Sequence, residues 1–200
     1  YFWRINFFEK LTIMKTIKTT LAILFISLIT ISCDNNDNNP VGAPEPAPSG
    51  VGVADITLTA GGQQFTIDGP CGWASAGGVK YIGANQSDNN LKVFSTYFNI
   101  QELPAQTTTY VLVEDDTDTD PSHITMNLTE IIPGTPPTLI EWSSINTSGT
   151  LTLVVEGNKV TVDLTGIVLK AGTGASGYTN GNVGAFANNG TLSGTLTFYK

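Results

Sequence analysis

The densest chemistry in the chain is the run Glu114-Asp115-Asp116-Thr117-Asp118-Thr119-Asp120. Asp116, Asp118 and Asp120 recur at every second residue, a spacing that lets a loop curl its carboxylates round one hard cation. Calcium takes about six to eight oxygens at roughly 2.3–2.6 Å, which three aspartates, backbone carbonyls and water can supply. Crowded carboxylates also repel one another without a counter-ion, most strongly at low salt. Two residues weigh against a built site. Pro121 stands where an EF-hand-like loop has its turn glycine, and Asn127 occupies the place of the bidentate glutamate. The run therefore reads either as a solvated acidic loop or as a weak calcium site, calcium being the one cofactor the sequence suggests.

Other residues allow chemistry without demanding it. Cys71 and His123 are the only pair available as nucleophile and base. His123 shares a polar face with Thr125, Asn127 and Thr129, which suits a solvated histidine. The surroundings of Cys71, GPCGWA, superficially resemble those of papain-like cysteines, whose spacing to the other catalytic residues is different. Glycoside hydrolysis needs two carboxylates about 5–10 Å apart, and Glu102, Glu130, Glu141 and Asp163 lie on or near expected strands with nothing to single out a pair. Trp73 and Trp142, with Tyr81, Tyr97 and Tyr178, offer a sugar-stacking platform, or else pack into the core. The glycines at 172, 174 and 177 fit G-x-G-x-x-G. A dinucleotide site also requires a helix opening there and an acidic residue about twenty positions on. Neither follows, so a flexible loop is expected. The chain has no G-x-S-x-G or H-E-x-x-H and too little His and Cys for a zinc site.

The elements that carry these residues begin with an address. Lys15 and Lys18 precede an apolar stretch, LAILFISLITIS, which ends at Cys33, and a polar segment follows. The stretch is well short of the ~20 residues a spanning helix needs. Met14 is the natural start, so residues 1–13 read as upstream translation and 14–32 as a signal peptide. Thr30-Ile31-Ser32-Cys33 resembles the lipobox of bacterial lipoproteins, with Thr30 departing from the preferred leucine. That resemblance implies a diacylglyceryl thioether on Cys33 and anchoring by two or three acyl chains, where one chain holds only marginally. Residues 33–52 are rich in Asn, Pro and Gly and form a disordered tether, with a reach on the order of 60 Å at polyproline spacing. Asp34 and Asp37 behind the cysteine resemble the surface-export signals of Bacteroidetes-type lipoproteins. In enterobacteria an aspartate at that place favours inner-membrane retention instead.

From Cys33 onward the basic residues are Lys80, Lys92, Lys159, Lys170 and Lys200, against sixteen acidic ones. That balance disfavours nucleic acid and anionic headgroups and favours solubility and cations. The absence of arginine there removes bidentate clamps. With Cys71 the only other cysteine, a disulfide framework within the domain is excluded, and buried packing is the expectation for its thiol.

Residues 53–200 read as one all-β domain: an antiparallel β-sandwich or barrel-like sandwich of about 9–10 strands. Strands are expected at 53–59, 63–68, 79–84, 91–100, 107–114, 123–130, 138–143, 149–156, 159–169 and 191–199. Gly157-Asn158 makes a two-residue hairpin loop. It sets Glu156 against Lys159, Val155 against Val160, Leu153 against Val162 and Leu151 against Leu164. Every apolar pair then shares one face, and a one-residue slip would expose them all. In the last strand Leu192, Leu196 and Phe198 face inward. The endings SGTLTFYK and TSGTLTLVVEGNKVTV resemble small uncharacterised β-rich lipoproteins of Bacteroidetes-type bacteria, a resemblance that implies fold and localisation but no reaction.

The expected function is a lipid-anchored binding or structural module of the cell envelope, without catalytic activity, recognising a glycan or an envelope protein. Its expected place is the outer membrane, at the surface or the periplasmic face, with the membrane itself a partner through the anchor. The alternative is a carboxylate-dependent envelope hydrolase of glycosidase type.

Overall fold

The computed structural model describes residues 51–76, 79–87, 90–115, 117–145 and 149–200. Cys33, the signal segment, residues 33–50 of the tether and Asp116 lie outside the described residues.

Short alternating runs become twelve strands: β1 (Gly52–Ala60), β2 (Gln63–Ala76), β3 (Val79–Ser87), β4 (Leu91–Phe98), β5 (Thr108–Leu112), β6 (His123–Ile132), β7 (Thr138–Ser144), β8 (Thr150–Glu156), β9 (Lys159–Asp163), β10 (Val168–Ala171), β11 (Thr179–Asn180) and β12 (Gly190–Tyr199). A single 3-10 turn, Gly184–Ala187, is the only helical element among the described residues. Nine strands close into a barrel in the order β1-β2-β3-β4-β6-β5-β8-β9-β12, with β12 pairing back onto β1. The all-β, barrel-like expectation holds. Pairing is antiparallel except at β5–β6 and β7–β11.

The wall between β6 and β12 is built in two tiers. At its start β6 pairs with β5, through Val111↔His123 and Leu112↔Ile124. Farther along the same edge it pairs with β7, from Asn127↔Ser143 to Ile132↔Thr138. β5 continues to β12 through β8 and β9, whereas β7 continues through β10. Where the tiers part, Ser144 fills the gap. Its Oγ accepts the Met126 N–H at 3.1 Å and donates to the Val113 carbonyl at 2.6 Å, so one hydroxyl replaces the missing ladder bonds. Gly194 performs the matching role on β12. Its φ of +102° suits glycine, and its carbonyl receives the Leu164 N–H at 3.0 Å as the chain leaves β9.

Strand alternation fills the interior. Ile56, Leu58, Ile67, Phe94, Phe98, Met126, Leu128, Leu153, Val162, Leu196 and Phe198 are buried, and the intervening residues face out. The outward positions are mostly Thr, Ser, Asn, Asp and Lys, and the exposed large hydrophobics are scattered valines. A barrel that spans lipid carries the reverse pattern, an apolar outer band. No helix among the described residues is long and apolar enough to cross a membrane.

The Gly157-Asn158 hairpin has the expected register from Glu156↔Lys159 to Leu153↔Val162. Gly157 takes a φ of +65° and Asn158 stays at negative φ, the pattern of a type II′ turn. The expected Leu151–Leu164 pair does not form as a ladder pair, because Leu164 turns away to bond Gly194. The expected strand 159–169 is therefore two, β9 and β10, each against a different part of β12. The strand expected at 63–68 is longer, running on through Gly69, Pro70 and Cys71 to Ala76. Pro70 is tolerated because it lies beyond the stretch of β2 that β3 pairs with, which begins at Cys71↔Ala84.

Candidate functional site

The outer face of β3, β4, β6, β7 and β10 gathers hydrogen-bonding groups into rows. Core residues Ile82, Phe94, Thr96, Met126 and Trp142 point inward, so their sequence neighbours point out. Register then aligns those neighbours. Tyr81 stands opposite Tyr97, which stands opposite Thr125. The next row runs Gly83–Ser95–Asn127–Ser143–Lys170 across five strands. Beyond it come Asn85, Val93, Thr129 and Glu141, of which Asn85 and Val93 are buried.

Tyr81 and Tyr97 are both half-buried, with ring centroids 4.9 Å apart and planes at 84°. Edge-to-face packing is a favoured arrangement of two rings and holds them in a fixed relation to each other. Burial, and then Tyr97 beside it, push the Tyr81 hydroxyl above its ordinary range, so it stays a neutral donor at physiological pH. Ser95, Thr125, Asn127 and Ser143 add hydroxyls and an amide, each able both to donate and to accept. At the rim Lys170 is paired with Glu114 at 3.0 Å, so its charge is balanced. Rigid aromatics beside mixed neutral donors and acceptors suit a polyol far better than an ion.

The structure separates the residues that the sequence grouped as a stacking platform. Trp142 is wholly buried, wedged edge-on between Phe65 at 5.4 Å and Phe186 at 5.5 Å, and its Nε1 donates to the Asn188 carbonyl at 3.2 Å. It is a core residue with no face for a sugar, and the expectation that it binds ligand is corrected. Trp73 is half-buried at the barrel end, its Nε1 donating to the Tyr199 carbonyl at 3.1 Å. Lys80 Nζ lies 4.9 Å from its ring centroid.

The acidic loop spends its oxygens locally. Asp118 Oδ1 accepts from Asp120 N at 2.8 Å, and its Oδ2 lies 2.7 Å from His123 Nδ1. Asp120 Oδ1 accepts both N–H and O–H of Ser122, at 2.8 and 2.6 Å. Asp115 Oδ1 accepts the Thr117 amide and hydroxyl. These are Asx turns, in which each carboxylate caps the chain two residues on. They hold Asp118 and Asp120 below the ordinary carboxylate range, the leading causes being the bonds from the Asp120 and Ser122 backbone and side chain respectively. The hydrogen bond to Asp118 raises His123 against a smaller opposing effect of burial. No group of three or more His, Cys, Asp or Glu able to hold a metal occurs among the described residues.

Cys71 and His123 are not brought together. Cys71 faces the core, its Sγ donating to the Thr197 carbonyl at 3.3 Å, and burial pushes its thiol up to about 12. A thiol so far from ionising is a poor nucleophile, while His123 belongs to the outside of β6. The carboxylates are dispersed as well. Glu130 points inward, bound by Asn90 at 2.8 Å, and Glu141 lies on the opposite face of the neighbouring strand. Asp163 Oδ1 caps Thr165, and Glu102 extends from the β4–β5 loop toward Lys80. The glycines of 172–177 form a loop that leads into β11 rather than a helix.

Two features escaped the sequence reading. The row Ser95–Asn127–Ser143 exists only through long-range register, for which one sequence carries no signal. Lys80 was visible in principle, since it shares the inward parity of Ile82 and Ala84. No protein family, curated protein or solved structure matches this chain.

Proposed function

We propose that the chain is a non-catalytic binding module held at the cell envelope by a lipid on Cys33, and that it recognises a neutral glycan on the outer face of β3, β4, β6 and β7. The observation that carries the recognition half is the register-locked pair Tyr81–Tyr97 beside Ser95, Thr125, Asn127 and Ser143. Sugars present apolar C–H faces to aromatic rings and hydroxyls that both donate and accept, and this face supplies both complements. The anchoring half rests on the run from Lys15 to Cys33 and the polar segment behind it. A tether of this composition lets the domain reach away from the membrane toward a polymer.

The test is a titration of the full-length protein with soluble cello-, xylo- and manno-oligosaccharides, by calorimetry. Binding to at least one, weakened about ten-fold or more by Tyr81→Ala and by Tyr97→Ala, is the expected result. Featureless titrations throughout would overturn the recognition half, and binding indifferent to both substitutions would place it elsewhere.

A further inference from the structure

Lys80 is an inward-facing lysine at one end of the barrel, only 7% exposed. A buried ammonium is costly unless its charge and its three N–H donors are met. Here they are met only in part. Ser75 Oγ accepts one hydrogen bond at 2.5 Å, and the Trp73 ring lies 4.9 Å from Nζ. The nearest carboxylate, Glu102 Oε2, stands 3.9 Å away, beyond hydrogen-bond distance, on a side chain that is 89% exposed. Glu102 thus faces the ammonium from the solvent side without closing on it.

The elements around this lysine are firmly held. Ser75 and Lys80 are direct partners in the β2–β3 ladder, and Trp73 sits two residues back on β2, half-buried, with Ser75 exposed at the rim. The indole is fixed by its bond to the Tyr199 carbonyl, and Lys200 Nζ ties the end of β12 to the Pro104 carbonyl in the loop that carries Glu102. An ordinary structural lysine would place its head in bulk water and leave only its stem on the core. This one keeps its head under an aromatic ring beside a hydroxyl donor, a combination that receives an anion.

We propose that Lys80, Ser75 and Trp73 form a binding slot for the carboxylate of a small organic acid, with Glu102 as the internal competitor that a ligand displaces. Lys80 donates to one carboxylate oxygen, the Ser75 hydroxyl donates to the other, and the ligand's carbon skeleton packs on the indole. The three residues stand together at the barrel end, and their role does not depend on the Tyr81–Tyr97 face.

Glucuronate is the probe, with its methyl ester as the uncharged control, titrated into the full-length protein and read by tryptophan fluorescence. Wild type should bind the acid weakly, in the millimolar range, and the ester not at all. Glu102→Gln, which removes the competitor on an exposed side chain, should tighten glucuronate roughly two- to five-fold. Ser75→Ala should weaken it, and Lys80→Met should abolish it. Equal affinity of wild type and Glu102→Gln, or equal binding of acid and ester, would overturn the proposal, and that comparison stands even where Lys80→Met does not fold.

Discussion

Tyr81 and Tyr97 face each other across β3 and β4 on the outside of the barrel, ring centroids 4.9 Å apart and planes nearly perpendicular. The pair is set by register alone. Ile82 and Phe98, their neighbours in sequence, are buried, so the core that fixes the strands also fixes where the two rings emerge. A rigid outer face therefore follows from the packing of the inner one.

The hairpin register makes the first prediction. Leu153 is fully buried opposite Val162, whereas its neighbour Thr152 points out toward Thr109. Leu153→Asp should leave the domain largely unfolded, because it buries an unpaired carboxylate. Thr152→Asp should change stability by less than about 1 kcal/mol, as surface substitutions do. Chemical denaturation of both variants checks this, and equal effects would refute the register.

Ser144 makes the second. Removal of its hydroxyl leaves the Met126 N–H and the Val113 carbonyl without their partner at the place where β5 and β7 part. Ser144→Ala should cost about 1–3 kcal/mol in urea unfolding, more than an exposed serine would. Hydrogen exchange should report the loss first at Met126.

The His123–Asp118 pair gives a pH dependence with a definite sign. The folded state raises His123, so its contribution is complete below the ordinary histidine value of about 6.5 and fades as pH climbs through the raised one. Asp118 and Asp120 are lowered, so theirs is complete above about 3.8 and fades as pH falls through the lowered values. The loop is thus best held from about pH 4 to pH 6.5. His123→Gln should destabilise the protein more at pH 5.5 than at pH 8.5, as read from thermal midpoints. A midpoint difference that does not change with pH would contradict the pairing.

Cys33 supplies the fourth. Cells grown with a labelled fatty acid should incorporate it into the wild-type protein and not into Cys33→Ala, as gel fluorography will show. Label that survives the substitution would remove the anchor from the account.

Much of the fold was legible because burial imposes a period. Leu153, Val160, Val162, Leu192, Leu196 and Phe198 announce their inward face by alternation, and Gly157-Asn158 announces its turn by chemistry. The break between β9 and β10 was not legible, since Leu164, Ile167 and Leu169 are all apolar and buried while the chain changes partner between them. β2 was cut short for a related reason. Gly69, Pro70 and Gly72 fall outside the expected strand 63–68, yet β1 and β3 impose strand geometry on them. The candidate face was legible only in its aromatics. Trp142, one of the two tryptophans singled out, proved to be core, because a tryptophan in a strand carries no sign of its own of which face is wet.

The most direct test of the account is the footprint of a bound oligosaccharide on amide and side-chain NMR spectra of the full-length protein. Shifts should concentrate at Tyr81, Ser95, Tyr97, Thr125, Asn127 and Ser143, with Thr57, Thr161 and Thr195 on the far wall unmoved. Perturbations centred on that far wall, or spread evenly over the barrel, would contradict recognition by this face.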